Sequence, residues 1–243
     1  MERIRLDSVS KRFSRGSGTK TLLASVSGIS WFQSEWFLAL DQVNLAIPDS
    51  GVCLGIIGPN GSGKTTLLRI IAGVTAPTQG KVMVRGQVVP LLEASAGMQP
   101  ELTGRENIFL NGIILGMRRR EIQRKLDSIV EFSGVDKFLD MPLKHYSLGM
   151  VTRLGFSVAS HVDANILLVD ESWSMADASF QTKSFSRLTQ LRKRGGILLL
   201  VSHDPNLIRR LADQVLWLQN GRVVRMGPTE EILKDYLSVA GLP

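Results

Sequence analysis

The chain has 243 residues, enough for one large α/β domain that buries most of its apolar surface without outside help. At 44% hydrophobic and 21% charged residues the composition excludes a disordered protein, and no stretch approaches the roughly 18 continuous apolar residues that span a bilayer. The net charge of +7 suits nucleic acid or an anionic membrane surface but selects neither.

The basic clusters Arg118-Arg119-Arg120, Arg192-Lys193-Arg194 and Arg209-Arg210 are short, and each reads most simply as a solvated helix face or end. The N-terminus, Met1-Glu2-Arg3-Ile4-Arg5, lacks the apolar core of a secretion signal. The lone cysteine, Cys53, lies in an apolar run and reads as a small buried hydrophobe in a reducing compartment. The chain is therefore expected to be soluble or peripheral to a membrane.

In chain order, a strand is expected at 3–8, followed by an enlarged segment at about 14–38, rich in Ser, Gly and Thr. Its aromatic stretch, Trp31, Phe32, Trp36 and Phe37, ends near a strand at 43–47. Residues 52–57 form a continuous apolar run, as expected of a strand buried on both faces, and 65–72 read as a helix. Short strands follow at 81–85 and 88–92, then a helical block with helices at 103–117, 121–132 and 151–161. Strand character returns at 165–169 and 197–201, with an amphipathic helix at 179–193 between them. Asn220-Gly221 between two apolar strands signals a type I′ hairpin, and Pro228 with Glu230 and Glu231 opens a last helix. The alternation implies an α/β fold with a mainly parallel sheet, an antiparallel β part and a helical subdomain inserted at about 97–162.

Between the run 52–57 and the helix lies Gly58-Pro59-Asn60-Gly61-Ser62-Gly63-Lys64-Thr65, which matches the phosphate-binding loop pattern at every fixed position. Its glycines let the backbone curl so that consecutive N–H groups point at phosphate oxygens, and the helix start adds its positive end. Lys64 is placed to bridge the β- and γ-phosphates, the Thr65 hydroxyl to ligate Mg²⁺, and Thr66 to bind nucleotide beside it. Together these residues predict an ATP-binding, Mg²⁺-dependent site.

The run 166–169 ends in Asp170-Glu171, at the strand end where ligands gather in a parallel sheet. Asp170 is the candidate Mg²⁺ holder and Glu171 the residue that polarises an attacking water. His203 follows the strand 197–201 as Val-Ser-His-Asp, where it can contact the γ-phosphate; a lone histidine elsewhere is usually structural.

Tyr146-Ser147-Leu148-Gly149-Met150 resembles the Leu-Ser-Gly-Gly-Gln signature of ABC transporter ATPases, in which Ser and Gly cap a helix start that binds the γ-phosphate of the opposite subunit. Ser147 and Gly149 keep those roles chemically. The departures at 146, 148 and 150, with Arg153-Leu154 and Phe156, resemble the branch that exports bacterial cell-surface polysaccharides. Pro100-Glu101-Leu102-Thr103-Gly104-Arg105-Glu106-Asn107 and Asp177-Ala178-Ser179-Phe180-Gln181 resemble the same branch.

The resemblance covers about 43–227 and implies one nucleotide-binding domain over 1–243. It implies an ATP-sandwich homodimer, a separate integral membrane permease, a lipid-linked polysaccharide cargo (O-antigen, capsule or teichoic acid) and no nucleic-acid partner. It also places the protein peripherally on the cytoplasmic face of the inner membrane. The additional C-terminal sugar-binding domain of some such exporters is expected to be absent. Rival readings are an ABC ATPase for lipid, peptide or drug cargo, and a soluble ABC ATPase on ribosomes or DNA.

Several positions depart from the family pattern. Leu148 stands where a small residue is usual and is strained if that position needs φ > 0. Ala176 precedes Asp177 where the branch has Gly. No Gln occupies the Q-loop place, for which Glu93 is the first candidate and Gln99 the second; a carboxylate at 93 is either a Mg²⁺ ligand or a solvated loop acid. For the aromatic adenine contact Phe13 matches best, with Phe37 the alternative, and either ring can equally be core. The 31–37 aromatics either meet the permease or cargo, or pin a loop to its own domain.

Overall fold

The structure, a computed structural model, describes residues 2–15, 35–49, 51–91, 95–170 and 178–240. Glu93, Glu171, Ala176, Asp177, Trp31 and Phe32 lie outside the described residues.

Strands β3 (Cys53–Ile57), β5 (Val88–Pro90), β6 (Ile166–Val169), β7 (Ile197–Val201), β8 (Gln214–Gln219) and β9 (Arg222–Pro228) form a six-stranded sheet in the order β5-β6-β7-β3-β8-β9. All its neighbours pair in parallel except β8 and β9, which form an antiparallel hairpin. The turn residues Asn220 and Gly221 both have positive φ, 48° and 77°, as a type I′ turn requires.

Buried apolar runs form strands here because both sheet faces are covered. Along β3, Cys53 and Ile57 enter one core while Leu54 and Ile56 enter the other. The same period-two alternation divides Ile166, Leu168 from Leu167, Val169, and Leu198, Leu200 from Ile197, Leu199 and Val201.

One core is closed by α1 (Lys64–Ile71) and by a three-stranded antiparallel sheet, β2-β1-β4, made of β1 (Glu2–Arg15), β2 (Glu35–Pro48) and β4 (Gln79–Val84). The other core is closed by α5 (Ala178–Lys193), α6 (Pro205–Leu211), α7 (Thr229–Ala240) and the helical insertion. That insertion comprises α2 (Gly104–Ile114), α3 (Arg119–Ser133) and α4 (Leu148–Ser160), joined by 3₁₀ turns at Asp136–Phe138 and Leu143–His145. Phe132 of α3, Phe156 of α4 and Phe180 of α5 meet where the insertion packs on α5, at centroid distances of 5.5–6.2 Å.

Two differences from the sequence reading have simple causes. β1 and β2 are much longer than expected, remaining paired, across several register shifts, out to Arg15 and Glu35, so Trp36 and Phe37 are strand residues rather than loop residues. Helix α6 was not anticipated, although Asp204 caps it by accepting from Asn206 N–H at 2.9 Å and Pro205 fills its first turn. Cys53 is fully buried, and desolvation pushes its thiol up to about 12, so it is an inert core residue. No described helix is long and apolar enough to cross a membrane.

Candidate functional site

The parallel order brings the C-terminal ends of β3, β6 and β7 to one edge of the sheet. The loop 58–63 leaves β3 there, Asp170 leaves β6 and His203 follows β7. Chain reversals after adjacent parallel strands thereby open a ligand crevice. The resulting cleft has a volume of about 280 Å³ and is lined by residues 60–66 together with Phe37, Ala39, Asp170, Val201 and His203. Asn60, Gly61, Ser62, Gly63, Lys64, Thr65 and Thr66 are thus all placed at one site, together with Asp170 and His203.

Gly58 and Pro59 serve differently from the expectation. They do not line the cleft; their carbonyl oxygens accept from the Lys64 ammonium at 2.7 and 3.0 Å and hold that side chain folded across the loop. Lys64 is only 7% exposed, so these bonds satisfy a nearly buried cation. Helix α1 starts directly from the loop with no side-chain cap on its first N–H groups, and its first residues, Lys64, Thr65 and Thr66, line the cleft. The Ser62 hydroxyl, in a residue 2% exposed, has no hydrogen-bond partner among the described residues, whereas the Ser62 carbonyl accepts from Gly221 N–H at 3.0 Å. The hairpin tip thus braces the loop from behind, since the Gly221 carbonyl also accepts from Asp41 N–H at 2.9 Å.

A row of donors with an unmatched buried hydroxyl fits an oxyanion ligand such as a polyphosphate. The Thr65 hydroxyl and Asp170 carboxylate in the same cleft are hard oxygen donors of the kind Mg²⁺ takes. Among the described residues no group of three or more His, Cys, Asp or Glu could hold a metal.

The aromatic that reaches the cleft is Phe37, not Phe13. The two are direct partners in the β1–β2 ladder, and the Phe13 ring instead lies under the Lys11 ammonium at 4.9 Å. Gln99 also lies away from the cleft. Its backbone N–H and C=O are both bonded to the Asn107 side chain at the start of α2.

Ser147 and Gly149 are likewise outside this cleft, on an exposed surface at the start of α4. Ser147 is the α4 N-cap, its hydroxyl accepting from Met150 N–H at 3.2 Å. Leu148 has no positive φ, so no backbone strain attaches to it.

A phosphate loop between a parallel strand and a helix, sharing its cleft with an acid at the end of a parallel strand two places away, defines a P-loop nucleoside triphosphatase. Residues 40–174 match the ABC transporter family, and the chain belongs to that family as an ATP-hydrolysing cassette. The O-antigen export system ATP-binding protein RfbB of Klebsiella pneumoniae is 40% identical over 222 residues, 91% of this chain and 90% of that one. The teichoic acids export ATP-binding protein TagH of Lactococcus lactis is 39% identical over 236 residues, 96% of this chain and 50% of that one. Among solved structures, an ATP-binding subunit of an ABC transporter superposes with a TM-score of 0.77 at 21% identity, covering 96% of this chain and 92% of that one. A dimeric ATP-binding cassette bound to ADP and Pi superposes at 0.74 and 24% identity, covering 93% and 98%. Both confirm the fold.

Proposed function

We propose that this chain powers export of a lipid-linked surface polysaccharide (O-antigen, capsule or teichoic acid) through a separate integral membrane permease, from the cytoplasmic face of the inner membrane. The observation that carries the ATPase part is the convergence of Lys64, Thr65, Asp170 and His203 on one cleft. The cargo rests on the YSLGM and PELTGREN runs and on the export systems named for relatives about 40% identical.

In this reading two copies close head to tail, and each ATP lies between Lys64 of one and Ser147 of the other. Lys64 exchanges its loop carbonyls for phosphate oxygens, while the N–H groups at the start of α1 hold the β-phosphate. Thr65 and Asp170 would hold Mg²⁺, which when bound neutralises charge on the phosphates. Glu171 orients the water and His203 contacts the γ-phosphate. Closure is passed to the permease through the helical insertion.

Titration with a fluorescent ATP analogue tests the site. Lys64→Ala removes one charge-assisted contact of about 1.5–3 kcal/mol and should weaken affinity about ten- to one-hundred-fold. Unchanged affinity would refute the role of Lys64. Glu171→Gln should abolish turnover while ATP binding and ATP-dependent dimerisation survive, and normal hydrolysis in that variant would refute the role of Glu171. The membrane protein that co-purifies with the chain tests the cargo.

A further inference from the structure

The runs PELTGREN (100–107) and YSLGM (146–150) are far apart in sequence, but the structure fastens one to the other. Residues 100–105 lie antiparallel to the segment 139–144 that leads into α4. Lys144 N–H donates to the Pro100 carbonyl at 2.9 Å, Leu143 N–H to Leu102 at 2.9 Å, Gly104 N–H to Met141 at 3.2 Å and Arg105 N–H to Leu139 at 2.9 Å. Thr103 and Pro142 form a β-bridge, and the ion pairs Lys144–Glu101 (2.7 Å) and Arg105–Asp140 (2.8 Å) flank it.

The near side of this clamp is itself held rigid. Thr103 and Glu106 form a complete capping box on α2. Asn107, fully buried, donates to the carbonyls of Gln99, Leu102 and Thr103 at 2.9–3.0 Å and accepts from Gln99 N–H at 2.7 Å. The far side ends in Tyr146. Its hydroxyl donates to the Phe138 carbonyl at 2.7 Å, and a Cβ placed on Gly104 would lie 2.2 Å from that oxygen. Gly104 is therefore the seat of the Tyr146 ring, and the residue after Tyr146 is the exposed cap Ser147.

We propose that residues 100–107 are a positioning platform for Ser147, and that Tyr146, seated on Gly104 and bonded to Phe138, fixes where the start of α4 is presented to the nucleotide of the other copy. Tyr146 touches no nucleotide itself; it acts through Ser147, so the inference rests on the role given to Ser147 above. It explains the pairing of the two runs: the glycine of one exists to receive the tyrosine of the other. It also ties residues 99–103, the cap of α2 and the start of α4 to one another.

The test uses the Glu171→Gln protein with ATP and Mg²⁺, measuring dimerisation by analytical ultracentrifugation and nucleotide affinity of the dilute monomer by fluorescence titration. Tyr146→Phe keeps the ring and removes one hydrogen bond, so dimerisation should weaken about five-fold per nucleotide site while monomer affinity stays within two-fold. In the parent with Glu171 intact, kcat should fall at low protein concentration and recover at high, with nucleotide KM unchanged. Gly104→Ala should also weaken dimerisation, and adding Tyr146→Phe to it should restore part of the loss because the obstructing oxygen is gone. If Gly104→Ala does not fold, Tyr146→Phe alone decides the matter. Dimerisation equal to the parent in Tyr146→Phe, or additive losses in the double variant, would overturn the proposal. No ATP-dependent dimer in the parent would instead overturn the assignment of Ser147 on which it rests.

Discussion

Alanine at Gly63 and at Gly61 should separate what the phosphate loop needs for folding from what it needs for its ligand. Gly63 has φ +105°, and a Cβ there would stand 2.5 Å from the Ala39 carbonyl oxygen and 2.8 Å from a Leu40 methyl. Neither can yield cheaply, because both belong to β2 where it packs on the loop. The positive φ costs an L-residue about 1–2 kcal/mol, and the forced backbone shift about 1–3 more. Gly61 has φ +78° but nothing within 4 Å of the added carbon, so only the first cost applies. At roughly 2–4 °C per kcal/mol for a chain of this size, Gly63→Ala should lower Tm by about 4–20 °C and Gly61→Ala by about 2–8 °C. Nucleotide affinity should follow the opposite logic: the open space over Gly61 is the cleft itself, so its methyl meets phosphate and weakens binding in a protein of nearly normal stability. Thermal melts with and without ATP, together with the fluorescence titration, read both quantities. Equal stability losses in the two variants, or full affinity in Gly61→Ala, would refute this account of the loop.

Other outcomes follow from the same geometry. Phe37→Ala should raise the Kd for ATP several-fold and Phe13→Ala should change it less, by titration of both; the reverse order would restore Phe13 as the base contact. His161 is buried and neutral. Its Nδ1–H donates to the Ser157 carbonyl at 2.7 Å, and Nε2 faces the Ser128 hydroxyl at 3.0 Å. Burial first, then Arg187 and Lys125, hold its pKa below the usual imidazole value against the Ser157 bond, which raises it. With the folded pKa below the unfolded one, its contribution is complete above about pH 6.5 and is lost as pH falls from there towards the folded value. Tm measured from pH 7.5 to 5.5 should therefore fall more steeply in the parent than in His161→Gln, and parallel curves would contradict it.

What the sequence revealed and what it hid divides along physical lines. The phosphate loop was legible because its function is made by contiguous backbone: glycines, a helix start and one lysine need no distant partner. Asp170 and His203 were legible for nearly the same reason, each standing where an apolar strand stops at a sheet edge. Helix α6 was legible and passed over, since Asp204-Pro205 carried its start in plain view. Which of the two candidate rings, Phe13 or Phe37, lines the cleft was not legible. Lys11 pairs with Leu40 and Arg12 with Leu38, so Ala39 is an extra residue on β2, and such a bulge re-aims the side chains beyond it. No count of residues from the P-loop back to an aromatic reveals that offset. The clamp between 100–105 and 139–144 was hidden for a related reason, because both halves read as irregular chain until they are paired.

Leu148 brings these strands together. The sequence raised strain at this position on the supposition of a positive φ. The chain instead places it in the first turn of α4, with ordinary backbone and 78% of its surface exposed. Among the described residues the fold asks little of residue 148: a side chain this exposed is not needed for packing, and no dihedral demands a glycine. Any reason for a particular side chain there must act where the start of α4 meets another surface, and Tyr146 and Ser147 direct that start outward. In the reading proposed here that surface is the nucleotide face of a second copy. The exposed leucine then covers the rim of the closed ATP site, next to the phosphate contacts of Ser147 and Gly149. In that reading the departure from the family signature belongs to assembly and not to folding, since Leu148 is exposed and its backbone is unstrained.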